Sequence, residues 1–323
     1  MKIKKAVWSA LLAVVMLCQM TGCSIKLDSL LTGDDIDDGP LKVTYIDVGK
    51  GDCILIQAGT FVSMIDTGYE NTVDRVSAYL DREGITAIDD MIITHFDKDH
   101  YGRMIGLMER YPVRHVFLPD YESESNGYAD IMTALGIQDK DDISNKYEVH
   151  IDDPGDKAIL EEPVVTFVYE DTGYSIDYYE EKSFDYTIRA SQTEYDTAKE
   201  NDNDMSLIVT LRFSDDSYVF FGDIEKDATK EYLAREYGSR KFDIMKFPHH
   251  GDWKGNYDDL IEMVSPIEVI VTDGEDRPME DKTAEYLDKC GIGCYSTYRD
   301  GTITVHSEGT GVYGIETEYG RTE

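Results

Sequence analysis

Cysteine is scarce in this chain of 323 residues: there are five, and no two form the Cys-x-x-Cys pair that holds a structural zinc. Positive charge is short as well, with 31 Lys and Arg against 66 Asp and Glu and a formal net charge of −35. Proteins that grip nucleic acid through its phosphates carry a basic stripe, and none is present. A surface this acidic repels polyanions and the anionic face of a membrane; as a bulk property it keeps the chain in solution and names no partner. No apolar run reaches the roughly 20 residues that a bilayer-spanning helix requires. No segment repeats, which excludes solenoids and propellers.

The first 40 residues nevertheless have a pattern. Lys2, Lys4 and Lys5 precede an apolar run from Ala6 to Met16, interrupted by Ser9, and then Met20-Thr21-Gly22-Cys23. A basic head, a short apolar stretch and small residues at a cut site read as a secretory signal over residues 1–22. Cys23 resembles the lipidated cysteine of a bacterial lipobox, which implies a membrane partner reached through lipid on Cys23 and a position on the extracytoplasmic face. Residues 23–40, with Asp34, Asp35, Asp37 and Asp38, read as an acidic tether without a packing pattern. Outside the cell Cys290 and Cys294 are able to pair, a question the sequence leaves open, whereas Cys53 lies in an apolar strand as a buried thiol.

From residue 41 to 323 the chain reads as one domain with an acidic, tyrosine-rich excursion at about 120–204. Leu41, Val43 and Tyr45 alternate with polar residues, as a strand does, and strands follow at Cys53–Ile56 and Phe61–Ile65. Val73, Val76 and Leu80 share a helix face that Gly84 ends. Met91–Ile93, Val113–Leu118, Val164–Val168, Ser206–Phe213, Tyr218–Phe221, Ile244–Phe247 and Ile267–Val271 are further strands, with helices between several of them, so the fold class is α/β.

The chemistry concentrates at strand ends. Thr94-His95-Phe96-Asp97-Lys98-Asp99-His100 follows a buried strand and puts two imidazoles and two carboxylates in six residues. Those groups suit zinc, iron or manganese, and a merely solvated loop does not explain why the run abuts an apolar strand. Asp66-Thr67-Gly68, Gly222-Asp223 and His249-His250-Gly251 each also come just after an apolar strand. Ligands placed at strand ends can converge on one sheet edge.

Together with Asp47-Val48-Gly49-Lys50-Gly51-Asp52, these motifs stand in the order found in metallo-β-lactamase-fold hydrolases, and the chain resembles, more narrowly, the hydrolase domain of the competence protein ComEC and its stand-alone relatives. The resemblance covers about residues 42–306, and Asp97, where many superfamily members have His, is typical of that branch. It implies an αββα sandwich of two mixed β-sheets flanked by helices, and two divalent metal ions, zinc or alternatively manganese. His95 and Asp97 would bind one ion, Asp99 and His100 the other, and Asp223 both. His249 or His250 would complete the shell, His249 being favoured as nearer the strand end. Asp99 and Asp223 are the catalytic carboxylates of this reading. Asp66 would orient a ligand imidazole, Asp47 and Asp52 would shape the floor, and Asn203 would line the site. The chain departs from the pattern in having Asp252 after His-His-Gly, and Asp276-Arg277-Pro278 where relatives often have Gly-His-Pro.

The implied activity is hydrolysis of phosphoester or phosphodiester bonds through a metal-bridged hydroxide, whose pKa falls from near 16 toward roughly 7, while the metals offset charge in the transition state. Small or polymeric phosphoesters fit as substrates. Nucleic acid, degraded in connection with competence, stays open but is disfavoured by the net charge. Tyr169, Tyr174, Tyr178, Tyr179, Tyr186 and Tyr195 would suit a cage for a cationic headgroup, although tyrosines pack on strands far more often. Lys98, Lys246 and Lys254 are candidates to contact a substrate anion, although the default reading of each is a surface lysine. The competing reading is a lipoprotein that binds metal or ligand without turnover; β-lactam hydrolysis is disfavoured by Asp97.

Overall fold

The computed structural model describes residues 41–123, 125–137, 163–169, 171–177, 183–191, 202–236 and 241–320. The signal, Cys23, the tether and Tyr178, Tyr179 and Tyr195 lie outside them. Two sheets account for the strands. The first has eight, β1 (Leu41–Tyr45), β2 (Ile54–Ala58), β3 (Phe61–Ile65), β4 (Ile88–Ile92), β5 (Val113–Pro119), β6 (Val164–Val168), β14 (Ile303–Ser307) and β15 (Tyr313–Thr317), in the order β15-β14-β1-β2-β3-β4-β5-β6. The second has seven, β7 (Thr172–Asp177), β8 (Ser183–Arg189), β9 (Ile208–Phe213), β10 (Asp216–Phe220), β11 (Ile244–Lys246), β12 (Glu268–Val271) and β13 (Gly293–Ser296), in the order β13-β12-β11-β10-β9-β8-β7.

Both sheets are mixed, and the change of direction matters. β3, β4, β5 and β6 run parallel to one another, as do β10, β11, β12 and β13. Parallel neighbours send their carboxyl ends to the same edge, so loops leaving them gather there.

Three apolar layers hold the sheets in place. Between them lie Tyr45, Phe61 and Ile92 from the first and Phe184, Leu211, Phe220 and Ile270 from the second. Behind the first sheet, Val76, Leu80, Met104, Leu107 and Ile131 come from helices α1 (Val73–Arg82), α3 (Met104–Arg110) and α4 (Asn126–Ala134). Behind the second, Ala228, Tyr232, Leu260, Val264 and Leu287 come from α5 (Lys226–Arg235), α6 (Tyr257–Val264) and α7 (Asp281–Cys290). Two short helices, α2 (Lys98–Tyr101) and α8 (Thr297–Asp300), cap the loops after β4 and β13. The layers therefore run helix, sheet, sheet, helix. Strands buried on both faces read as unbroken apolar runs, and all five residues of β3 are indeed buried.

The described parts of residues 120–204 are built into this framework. They supply α4, edge strand β6 of the first sheet and the β7–β8 hairpin of the second. Strand β6 coincides with the Val164–Val168 reading, whereas the acid-rich composition hides β8: Phe184, Tyr186 and Ile188 point inward while Asp185 between them is exposed. Tyr186 is thus a core residue and unavailable to an aromatic cage; of that group, Tyr169 is exposed. Cys290 and Cys294 are not joined by a disulfide.

Candidate metal centre

The loops after β3, β4, β10, β11 and β12 meet at the carboxyl edge. His95 precedes α2, His100 lies within it, Asp223 follows β10, and His250 follows β11; all four are buried. Asp223 Oδ2 lies 3.0 Å from His250 Nε2 and 3.3 Å from His100 Nε2. Asp99 Oδ2 lies 3.5 Å from His250 Nε2. Among the described residues three donor sets share His100, namely His95, His100 and Asp223, then Asp99, His100 and His250, and behind them Asp52, Asp66 and His100, the donor atoms of each lying within 4.8 Å of one another. Asp97, on the open side, has Oδ2 3.8 Å from His95 Nε2.

The outer partners decide which nitrogen each ring presents. His100 Nδ1 is 2.8 Å from Asp66 Oδ2, and His250 Nδ1 is 2.9 Å from the Thr272 carbonyl oxygen. Carboxylates and carbonyls only accept, so both rings donate through Nδ1, which frees Nε2 to ligate. Asp66 is itself fixed: its other oxygen accepts from the Thr94 amide at 2.8 Å. His95 Nδ1 lies 3.1 Å from Thr94 Oγ1 and 3.3 Å from Ser206 Oγ, while its Nε2 is buried with no hydrogen-bond partner. Buried polar atoms seldom stay unsatisfied. A buried imidazole nitrogen without a partner, facing carboxylates, is a donor set that suits a cation, so the residues present fit divalent metal.

Electrostatics agree. Burial alone would lower the His100 and His250 pKa values, yet the surrounding carboxylates together outweigh it and raise both, Asp223 first, with Asp66 beside His100 and Asp99 and Asp52 beside His250. Burial alone would raise Asp223, but His250, His100 and Lys246 together hold it well below the usual carboxylate range. Asp99 is likewise held low against burial, by His250 and His100.

Backbone geometry explains the order of the two adjacent histidines. His249 and His250 both have positive φ, 49° and 53°. Side chains with a Cβ resist that region, at a cost of about 1–3 kcal/mol each, and such residues cluster at functional sites. The tight left-handed turn swings His250 into the centre and leaves His249 at its margin, with Nε2 3.9 Å from Asp223 and Nδ1 3.3 Å from Glu225 Oε1. This corrects the preference for His249 as the inner residue: nearness to the strand end does not decide the matter when the chain reverses there. Asn203 is buried and donates to the same Glu225 oxygen at 3.2 Å, so it reaches the site through Glu225.

Asp47 and Asp52 part company. Asp47 pairs with Arg75 at 2.5 Å and accepts from the Gly49 amide, so its carboxylate is spent on α1 and not on the floor of the site. Asp52 is buried beneath the imidazoles, 3.5 Å from His250 Nδ1, accepting from Thr272 Oγ1 at 2.5 Å. Lys246 overturns its reading as a surface lysine. Its side chain is wholly buried, with Nζ 2.5 Å from Asp52 Oδ2, 2.8 Å from the Gly222 carbonyl oxygen and 3.5 Å from Asp223 Oδ1. A charge interrupting the apolar run Ile244–Phe247 was the available signal: lysines are almost never fully buried without partners. Lys98 and Lys254 are exposed. Sequence reasoning also passed over Ser206, whose Oγ accepts from the Asp223 amide at 3.1 Å, and Thr94 and Thr272, which carry no signature of their own.

A four-layer αββα sandwich with His and Asp clusters at one sheet edge defines the class: this is a metallo-β-lactamase-fold protein with a candidate site for divalent metal. Residues 46–178 match the metallo-beta-lactamase superfamily. The branch follows from a second comparison. ComE operon protein 3 of Bacillus subtilis (strain 168) is 22% identical over 285 residues, 81% of this chain and 32% of that protein, so the chain is ComEC-like and spans about a third of the length of that relative. CmlA, a diiron β-hydroxylase from Streptomyces venezuelae, superposes with a TM-score of 0.51 at 14% identity, over 83% of this chain and 54% of that one. That likeness bears on the fold alone.

Proposed function

We propose that this protein is a metal-dependent hydrolase of phosphoester or phosphodiester bonds, held outside the cytoplasm by lipid on Cys23. The observation that carries the reading is the convergence of His95, His100, His250, Asp99 and Asp223 on overlapping donor sets. His95, Asp97 and Asp223 would hold one ion, and Asp99, His100 and His250 the other, with Asp223 reaching both. Bound there, divalent ions supply Lewis-acid stabilisation of developing negative charge and water activated near neutral pH.

The chain's own residues do the rest. Asp66 and the Thr272 carbonyl hold two imidazoles with Nε2 turned inward. Lys246 offsets part of the carboxylate charge packed around Asp52 and Asp223. A carboxylate-rich site carrying two dications suits a phosphoryl group better than an amide, and the net charge of −35 favours a small or locally neutral phosphoester over a long polyanion. The Lys2–Lys5 head, the Ala6–Met16 run and Cys23 support the anchor.

The test is metal content by mass spectrometry together with turnover of bis(p-nitrophenyl) phosphate, with Asp223→Ala as control. About two equivalents of metal and turnover by the wild type alone support the reading. Folded protein that holds no metal after resupply with zinc or manganese would favour a non-catalytic lipoprotein. Cys23→Ala should move the protein from the membrane to the soluble fraction; retention at the membrane would remove the anchor from the proposal.

A further inference from the structure

Two lysines touch the candidate ligands, and they differ in what they can reach. Lys246 is wholly buried and has a carboxylate of its own in Asp52. Lys50 sits at the rim, its side chain 20% exposed, with Nζ 2.5 Å from Asp99 Oδ2. Among the described residues that is the one side-chain hydrogen bond of Lys50, and the partner is a carboxylate that a divalent ion would claim.

The Lys50 backbone is locked. The Asp52 amide donates to the Asp99 carbonyl oxygen at 3.1 Å. Gly51, at φ +151°, packs so closely that a Cβ there would lie 2.7 Å from the same oxygen. On the other side a Cβ on Gly274 would lie 2.4 Å from the Lys50 nitrogen. Gly274 opens a turn closed by the Arg277 amide donating to its carbonyl oxygen at 3.0 Å, and the Arg277 charge acts on Lys50. Lys50 is thus held between the metal loop and this turn, and the side chain alone is free to swing. Arg277, on that turn, is itself paired with Asp252 at 2.7 Å.

We propose that Lys50 is the substrate-anion contact of this site: were Asp99 to hold a divalent ion, the Lys50 ammonium would be released toward a non-bridging oxygen of the phosphoryl group. This rests on the phosphoester reading above. Charge balance drives it, because an ammonium that loses its ion-pair partner while still four-fifths covered needs another anion. In a chain of net charge −35 it also gives an anionic substrate a local attraction that the protein as a whole does not offer.

The experiment uses the full chain loaded with zinc or manganese and measures three quantities for wild type, Lys50→Gln and Lys50→Arg: bound metal, the Kd of inorganic phosphate by calorimetry, and KM and kcat for bis(p-nitrophenyl) phosphate. Loss of one charge-assisted hydrogen bond weakens binding by about tenfold or more. Lys50→Gln is expected to raise the phosphate Kd and the KM by about that factor at wild-type metal content, with Lys50→Arg recovering most of the affinity. Unchanged phosphate affinity in Lys50→Gln would overturn the assignment. So would metal content falling in step with affinity, since Lys50 would then merely position Asp99. A wild-type protein that holds metal but neither binds phosphate nor cleaves the diester would instead fail the phosphoester reading itself.

Discussion

His100 and His250 aim their Nε2 atoms at each other across 3.2 Å, 150 residues apart in the chain. Each ring already donates through Nδ1, to Asp66 and to the Thr272 carbonyl. Two neutral rings so arranged bring lone pair to lone pair, which is repulsive unless a proton or a metal ion stands beside them.

The placement of the adjacent histidines separates their roles. His250→Ala should lose metal and reduce kcat/KM by more than the roughly 10–100-fold typical of removing an outer partner, while His249→Ala should cost less. Steady-state kinetics with metal analysis on both variants decides it; a larger loss in His249→Ala would reverse the order.

Asp66 touches His100 and Thr94 and stands behind the candidate ligands. Asp66→Ala should therefore weaken metal affinity about 10–100-fold in a folded protein. Competition with a chelator of known affinity measures this, and wild-type retention of metal would show that the imidazole needs no such support.

Lys246 and Asp52 form a wholly buried ion pair. Removing one partner leaves the other charge uncompensated, so Lys246→Met should lower the unfolding free energy by about 3–5 kcal/mol. The double variant with Asp52→Leu should recover part of that loss. Urea denaturation of the four proteins of the cycle measures the coupling, and additive losses would refute it.

Metal that binds the native state alone stabilises it by mass action, by about 4 kcal/mol at a thousandfold excess over Kd. Chelation should lower the Tm of the wild type and leave that of Asp223→Ala nearly unmoved. Equal melting of wild type with and without chelator would mean that the centre holds no metal in solution.

The carboxyl-edge placement of these groups was legible because apolar strands followed by Asp or His are visible as patterns, and parallel strands bring their ends together. What resisted reading has a local physical cause in each instance. Asp47 and Asp52 lie on one short motif, but one turns to Arg75 and the other beneath His250, a choice made by partners distant in sequence. The inner position of His250 depends on two consecutive left-handed residues that no periodicity announces. Lys246 is buried because Asp52, nearly two hundred positions away, neutralises it. Strand β8, unlike Val164–Val168, was obscured by the acids around it, Asp185 standing exposed between inward-facing residues.

The centre draws on both halves of the sandwich: His95, Asp99 and His100 follow β4 of the first sheet, whereas Asp223 and His250 follow β10 and β11 of the second. An ion gripped by both sets is a reversible cross-link. It closes a loop of 150 residues between His100 and His250, and in the chain-entropy picture a permanent link of that span removes about 5 kcal/mol of unfolded-state freedom. On the proposed reading a metal would be a clasp on the seam as well as a reagent, and the supply of the ion would set how long the folded protein lasts together with how fast it works.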